Sequence, residues 1–269
     1  ILVINIYFNS MFLIKNFIYL LRIGVIKGAY RKFNFISEYL KVSKVKVNRL
    51  QFIIYLLKSE IIKKKQKSYL QNKKNYYQKK YNFTDIDWFS PNIPIWDTVL
   101  KQAFINKEKI EYLEIGTYEG RSTIHICENF KNFKITVVDP YSEYNEVNSV
   151  VKNSNMENVF ERFKKNSFNF SDRISINRTT SKEFFKKNKK KFDLIYIDGS
   201  HHYLDVKEDL TNSINFINNN GIIILDDFIW DYYEKVEENP IGGILPIIQA
   251  DPNIEIKSIS NQIILKVKS

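Results

Sequence analysis

From position 109 onward the chain alternates short apolar runs with longer stretches of helical polar periodicity. This is the pattern of βαβ units around a parallel sheet rather than of a β-sandwich. The runs predict strands at 110–115, 135–138, 174–177, 192–197 and 221–225, and helices between them at 122–129, 155–165, 181–188 and 204–218. Two further runs, 254–258 and 262–267, are separated by a connection too short for a helical crossover, so they predict an antiparallel hairpin. The expected fold is therefore α/β, a mostly parallel sheet closed by a C-terminal antiparallel hairpin.

Before position 81 the pattern differs. Leu50, Ile53, Ile54, Leu57 and Ile61 recur at helical spacing, which predicts an amphipathic helix with Arg49, Lys58 and Lys63 around its apolar stripe. The apolar stretch over residues 1–26 is interrupted by Asn5, Asn9, Lys15, Asn16 and Arg22, so it lacks the run of about 20 apolar residues that a membrane span requires. It also lacks the charge order and small-residue cleavage site of a signal peptide. The chain opens on Ile1, and its first methionine is Met11.

Charge sharpens this division. The 269 residues carry a formal net charge of +11, but residues 1–80 hold 18 Lys and Arg against Glu38 and Glu60 alone, leaving the remainder mildly acidic. Two parts are expected, a basic, mainly helical N-terminal extension over 1–84 and an α/β domain over 85–269. Three uses of the extension compete: a helical arm packed on the domain, a peripheral contact with anionic membrane, and nucleic-acid binding. The last is disfavoured by the absence of any accompanying recognition motif. A single cysteine, Cys127, excludes an intramolecular disulfide framework and a multi-cysteine zinc site, and fits a reducing, cytoplasmic setting.

In parallel sheets ligands bind beyond the carboxyl ends of the strands, and those ends carry the distinctive residues here. The first strand runs through Glu114 into Gly116-Thr117-Tyr118-Glu119-Gly120-Arg121-Ser122 and then directly into a helix. Glycines at such a turn let the backbone approach a ligand, and the N–H groups that open the next helix can receive an anion. The spacing is not the G-x-G-x-x-G dinucleotide fingerprint. The second strand ends in Asp139-Pro140-Tyr141, an acid about 20 residues past the glycine turn and placed to take both hydroxyls of a ribose. As turn chemistry alone, either feature would be ordinary.

The combination Glu114-x-Gly116-x-x-x-Gly120, Val137-Val138-Asp139, Asp198-Gly199-Ser200-His201-His202 and Leu225-Asp226-Asp227 resembles the class I S-adenosylmethionine-dependent methyltransferases. Within them it is most similar to the subgroup of sugar and macrolide O-methyltransferases and cephalosporin-hydroxylase-like proteins. The resemblance covers residues 110–269. It implies a Rossmann-like three-layer sandwich with strand order 3-2-1-4-5-7-6. It also implies a cofactor site in which Glu114, Gly116, Thr117, Tyr118, Gly120 and Ser122 line the methionine end and Asp139 holds the ribose. Tyr141 would cover the adenine, Thr180 and Ser181 would border it, and Asp198 would complete the set.

Asp198 and the pair Asp226-Asp227 end neighbouring strands, so three carboxylates meet at one sheet edge. Such crowding implies a cation, a basic partner or perturbed protonation, and all-oxygen ligation favours Mg²⁺ or Mn²⁺ over zinc. The same positions match metal ligands of divalent-cation-dependent O-methyltransferases. His201 and His202 follow closely, and a histidine there can take a proton from a substrate hydroxyl. The resemblance favours His201 as the base. His125 reads as a packed helix residue.

The expected activity is methyl transfer from S-adenosylmethionine to a hydroxyl of a sugar or other small acceptor, with metal assistance. Two other classes compete. A nucleic-acid methyltransferase would use the basic arm, but no Asn-Pro-Pro-Tyr or Asp-Pro-Pro-Tyr element follows the fourth strand. A non-methylating Rossmann-like nucleotide-binding protein or oxidoreductase would be expected to carry the missing dinucleotide fingerprint.

Overall fold

The computed structural model describes residues 20–21, 24–142 and 155–268, so the apolar N-terminal stretch and Met11 lie largely outside the described residues. Its centre is a seven-stranded sheet in the order β3-β2-β1-β4-β5-β7-β6. The strands are β1 (Ile110–Ile115), β2 (Phe133–Val138), β3 (Ile174–Asn177), β4 (Phe192–Ile197), β5 (Ile217–Leu225), β6 (Ile254–Ile259) and β7 (Ile263–Val267). The first five pair in parallel, and β7 runs antiparallel to both β5 and β6. The strand order and terminal hairpin are those expected.

Nine helices flank the sheet among the described residues: α1 (Val25–Val42), α2 (Arg49–Lys65), α3 (Lys67–Lys80), α4 (Ile93–Ala103), α5 (Arg121–Asn129), α6 (Met156–Ser167), α7 (Ser181–Lys187), α8 (Tyr203–Phe216) and α9 (Pro240–Ala250). The central strands are largely buried on both faces, which is why they read as mostly apolar runs rather than as strict alternations. On one face Leu113, Ile195 and Ile223 pack with residues of α8 and α9; on the other, Tyr112, Leu194 and Ile222 pack with Trp96, Ile124 and Phe163.

Two boundaries moved. β5 begins at Ile217 rather than 221 because Ile217 pairs with Phe192 across a register shift, and Asn218 donates to Asp193 Oδ1 at 2.8 Å. The amphipathic stripe of α2 is also rotated from the one read in sequence. Phe52, Leu56, Ser59 and Glu60 face inward, while Leu50 and Ile54 are 68% and 41% exposed. The cause is partner geometry. Phe52 and Leu56 join the core with Ala29, Ile36 and Tyr39 of α1, and Ser59 meets Ser258 of β6 at 3.0 Å. A buried ion pair, Lys32 to Glu60 at 2.5 Å, ties α1 to α2. Tyr77 of α3 enters the opposite core cluster and bonds His125 Nδ1 at 2.9 Å. Among the described residues no helix is long and apolar enough to cross a membrane.

Candidate active site

β1 delivers the chain to Gly116, whose φ of +80° is open to glycine and strained for other residues. Close approach reinforces the choice, since a Cβ here would lie 1.9 Å from the Asp198 carbonyl oxygen at the end of β4. Gly120, at φ +83°, ends the turn and opens α5, with the Phe163 ring packed where its side chain would be. Tyr118, between them, also has positive φ and lays its ring against Trp88, centroids 5.3 Å apart.

Asp139 organises this loop from the neighbouring strand. Its Oδ2 accepts the N–H groups of Thr117 at 2.8 Å and Tyr118 at 3.1 Å, and its Oδ1 accepts that of Tyr141 at 2.8 Å. A carboxylate offers about four lone-pair positions, so three are taken and one remains. Asp139 thus fixes the glycine turn as well as standing where a ribose hydroxyl was expected. Burial pushes the Asp139 carboxyl above the usual range, with the three N–H groups acting in the opposite sense.

Glu114 is wholly buried under α5, where Ser122 donates to Oε1 and Tyr112 and Thr123 donate to Oε2 at 2.8 Å. Burial raises it to about 7 against the pull of these hydroxyls. Glu114 and Ser122 therefore brace the glycine turn from beneath.

The three residues expected beside the adenine also make local contacts. Tyr141, at φ +45°, swings inward, is 2% exposed, and packs against Phe160 and Phe163 at 4.7 and 6.0 Å. Thr180 caps α7 by accepting the Glu183 N–H at 3.2 Å. Ser181 bonds the buried Asp209, whose carboxyl burial raises to about 7.

At the ends of β4 and β5 the three carboxylates do converge. Tyr196 is in hydrogen-bond contact with both Asp198 Oδ2, at 2.8 Å, and Asp226 Oδ2. One phenol carries one proton, so the two carboxylates compete for it. The electrostatics agree. Burial, then Asp226 and Asp227, drive Asp198 well above the carboxylate range, and burial and Asp227 lift Asp226 to about 6. Carboxylates crowded and raised in this way have the donor chemistry for a divalent cation.

The donors that come mutually within 4.8 Å are Asp198, His201 and Asp227. Asp226 is turned aside from them, held through Oδ2 by Gln262 Nε2 at 2.8 Å and through Oδ1 by the Asp227 N–H at 2.8 Å. Here the geometry departs from the expected set of Asp198, Asp226 and Asp227. His201 Nε2 lies 2.8 Å from Asp227 Oδ2, and its ring packs on Trp230 at 4.3 Å. His202 occupies the N-cap position of α8 with its ring against Tyr203 and Tyr233, away from this group. His125, as expected, is a packed residue, buried between Tyr77 and Asp97.

Sequence reading missed Tyr196, Gln262 and Trp230. Tyr196 sits inside an apolar strand, two residues before Asp198 and on the same side of it, a spacing that could have flagged it. Gln262 lies in the hairpin turn and accepts from Trp96 Nε1 at 2.7 Å, a contact without local signature. Lys63 of α2 also reaches this end of the sheet. Burial, aided by Lys32, pushes its amine down to about 8, against the pull of Glu60 and Asp226.

Comparison with known proteins follows this geometry. Residues 113–228 match a family model described as a methyltransferase domain, which spans the glycine turn and all three carboxylates. An uncharacterised protein of Acanthamoeba polyphaga mimivirus is 26% identical over 149 residues, 54% of this chain; the match spans 63% of that protein's length. Among solved structures, a proposed caffeoyl-CoA O-methyltransferase from Staphylococcus aureus is similar with TM-score 0.52 and 15% identity, over 79% of this chain and 100% of that one. MycE, a methyltransferase of the mycinamycin biosynthetic pathway solved with Mg and S-adenosylhomocysteine, is similar with TM-score 0.50 and 18% identity, over 74% of this chain and 53% of its own. The family match over residues 113–228, together with the seven-stranded fold, bears out the resemblance to class I S-adenosylmethionine-dependent methyltransferases.

Proposed function

We propose that this protein transfers a methyl group from S-adenosylmethionine to a hydroxyl oxygen of a sugar or other small hydroxylated acceptor, assisted by Mg²⁺ or Mn²⁺. The observation that carries the reading is the contact between Gly116 and Asp198, which sets the glycine turn of β1 directly beside the carboxylate edge of β4 and β5. A cofactor site and an acceptor-activating site then share one rim of the sheet.

The glycine turn would hold the methionine end of the cofactor on its backbone and on the N–H groups opening α5. Asp139 fixes that backbone and would accept one ribose hydroxyl at its remaining lone pair. Asp198 and Asp227 would hold the cation directly, and Asp226 would add the third negative charge. The cofactor supplies an electrophilic methyl, and the cation supplies positive charge that lowers the pKa of an acceptor hydroxyl. His201, oriented by Asp227, would take the hydroxyl proton, following the base–orienter arrangement. The strand ends would align the oxygen for in-line attack and exclude water.

The basic arm fits a peripheral contact with anionic membrane as well as a structural role. Leu50 and Ile54 are exposed on the outer side of α2 next to Arg49 and Lys58, which are also exposed.

The test of the activity is transfer of labelled methyl to a panel of hydroxylated acceptors, with and without Mg²⁺. Turnover on glycosides or polyols that EDTA suppresses is expected. Turnover confined to RNA or DNA, or hydride exchange with a nicotinamide cofactor, would replace the reading.

A further inference from the structure

A cleft of about 460 Å³ opens beside the carboxylate edge on the side away from the glycine turn. One wall is helix α1, through Arg31, Asn34, Phe35 and Glu38, and the other is the segment after β5, through Asp227, Ile229 and Trp230. Two residues join the cleft to the candidate active site. Asp227, which lines it, meets His201 at 2.8 Å, and Trp230, which also lines it, packs on the His201 ring. The sheet order fixes the sense of this arrangement. The glycine turn belongs to β1 and Asp139 to β2, the carboxylates end β4 and β5, and Asn261 of the β6–β7 connection closes the far end of the cleft. A molecule in the cleft would face the cofactor turn across Asp198.

We propose that this cleft is the acceptor site and that helix α1 of the basic arm determines which acceptor enters, selecting an uncharged, polyhydroxylated ring such as a glycoside. This rests on the methyltransferase reading and narrows it. The volume falls within the range of small-molecule sites. Trp230 and Phe35 offer apolar faces, Arg31 and the Asn34 and Asn261 amides offer donors, and Glu38 and Asp231 offer acceptors at the rim, so a hydroxyl finds a partner of either kind. Charge argues against an anionic acceptor. The carboxylates of Glu38, Asp227 and Asp231 face the cleft, and of its two cations Lys32 is already paired with Glu60. With Asp227 committed to the cation, the rim still sets Glu38 and Asp231 against Arg31, so a phosphate or diphosphate would meet no surplus of positive charge there.

The test uses the full chain with S-adenosylhomocysteine present and reads saturation transfer by NMR to three probes: methyl hexopyranosides, a nucleoside-diphosphate hexose and catechol. Transfer to the methyl glycosides is expected. Their affinity should fall about tenfold in both Asn34→Ala and Glu38→Ala, the scale of one lost hydrogen bond to a charged or amide group. Both positions are exposed on α1, and S-adenosylhomocysteine affinity should stay within about twofold of wild type, as should the thermal midpoint. No transfer to the glycosides, preference for the diphosphate hexose or catechol, or unchanged glycoside affinity in both variants would overturn the assignment. Calorimetry on the same wild-type sample separates the two levels of inference. Absent S-adenosylhomocysteine binding removes the proposed function, whereas intact binding with insensitive variants removes the acceptor site alone.

Discussion

Gly116 and Asp198 approach so closely that any side chain at 116 would strike the main chain at the end of β4, 1.9 Å from the Asp198 carbonyl oxygen. Backbone cannot yield as the tip of a flexible side chain can. Gly116→Ala must therefore part the β1 turn from β4 as well as bear the cost of φ +80°. We expect a stability loss of at least about 1 kcal/mol and a fall of at least about tenfold in S-adenosylhomocysteine affinity. Thermal unfolding and calorimetry measure the two. A destabilised variant with wild-type affinity would place the cofactor elsewhere.

Asp139 makes a separable prediction because it is stapled by three N–H groups. In Asp139→Asn one carboxylate oxygen becomes a donor that faces N–H groups, so at least one buried donor loses its acceptor, at about 1–3 kcal/mol. The glycine turn should loosen, and cofactor affinity should drop more than glycoside affinity. Hydrogen exchange at Thr117 and Tyr118 reports the loosening directly. Protection equal to wild type there would show that the staple is dispensable.

Glu114 should make stability depend on pH. Its carboxyl is raised to about 7 in the folded protein from the ordinary 4.5. A group raised on folding favours the native state while protonated in both states, and this advantage is lost as pH climbs from the unfolded value through the folded one. Stability should therefore decline between about pH 4.5 and 7 by up to about 3 kcal/mol from this group. Glu114→Gln keeps the shape and removes the titration, so urea unfolding from pH 5 to 8 should show a flatter profile. An identical slope in the variant would assign the dependence to other groups.

Much of this was legible in sequence, for reasons that particular residues display. β1 and β4 are buried on both faces, so they appear as mostly apolar runs, broken only by Glu111, Glu114 and Asp193, that lead into Gly116 and Asp198, and the glycine turn and acids announce the sheet edge. The roles within that edge were less legible. Whether Asp226 or His201 joins Asp198 and Asp227 depends on Gln262, 36 residues further along and across the β5–β7 pairing. The inward turn of Tyr141 depends on a positive φ that a tyrosine does not advertise. Likewise α2 shows two apolar stripes, and only its partners Ala29, Ile36 and Ser258 decide that Phe52 and Leu56 go inside.

That choice leaves Leu50 and Ile54 outside with Arg49 and Lys58 and gives the membrane proposal a specific test. Vesicles containing phosphatidylserine should retain the full chain in a flotation assay, and neutral phosphatidylcholine vesicles should not. Leu50→Ser with Ile54→Ser should weaken retention severalfold, and raising salt should weaken it further because the basic contribution is screened. Equal retention on neutral vesicles, or none on anionic ones, would leave the arm a purely structural element.

The cation proposal turns on the shared proton at Tyr196. Its hydroxyl contacts both Asp198 and Asp226, and burial with the neighbouring carboxylates raises both acids above their ordinary range. Mn²⁺ binding followed by electron paramagnetic resonance should show one site in the wild-type protein. Asp198→Asn and Asp227→Asn each remove a proposed ligand and should weaken it by more than about tenfold. Asp226→Asn should weaken it less, because that carboxylate stands aside with Gln262 and contributes charge rather than a bond. Equal loss in all three would return Asp226 to the ligand set, with Gln262 yielding its oxygen when the ion binds. Thermal unfolding decides between a catalytic and a structural cluster. If the carboxylates serve only the fold, wild-type Mn²⁺ binding should be absent and Asp198→Asn and Asp226→Asn should lower the thermal midpoint by disturbing the buried hydrogen bonds to Tyr196 and Gln262.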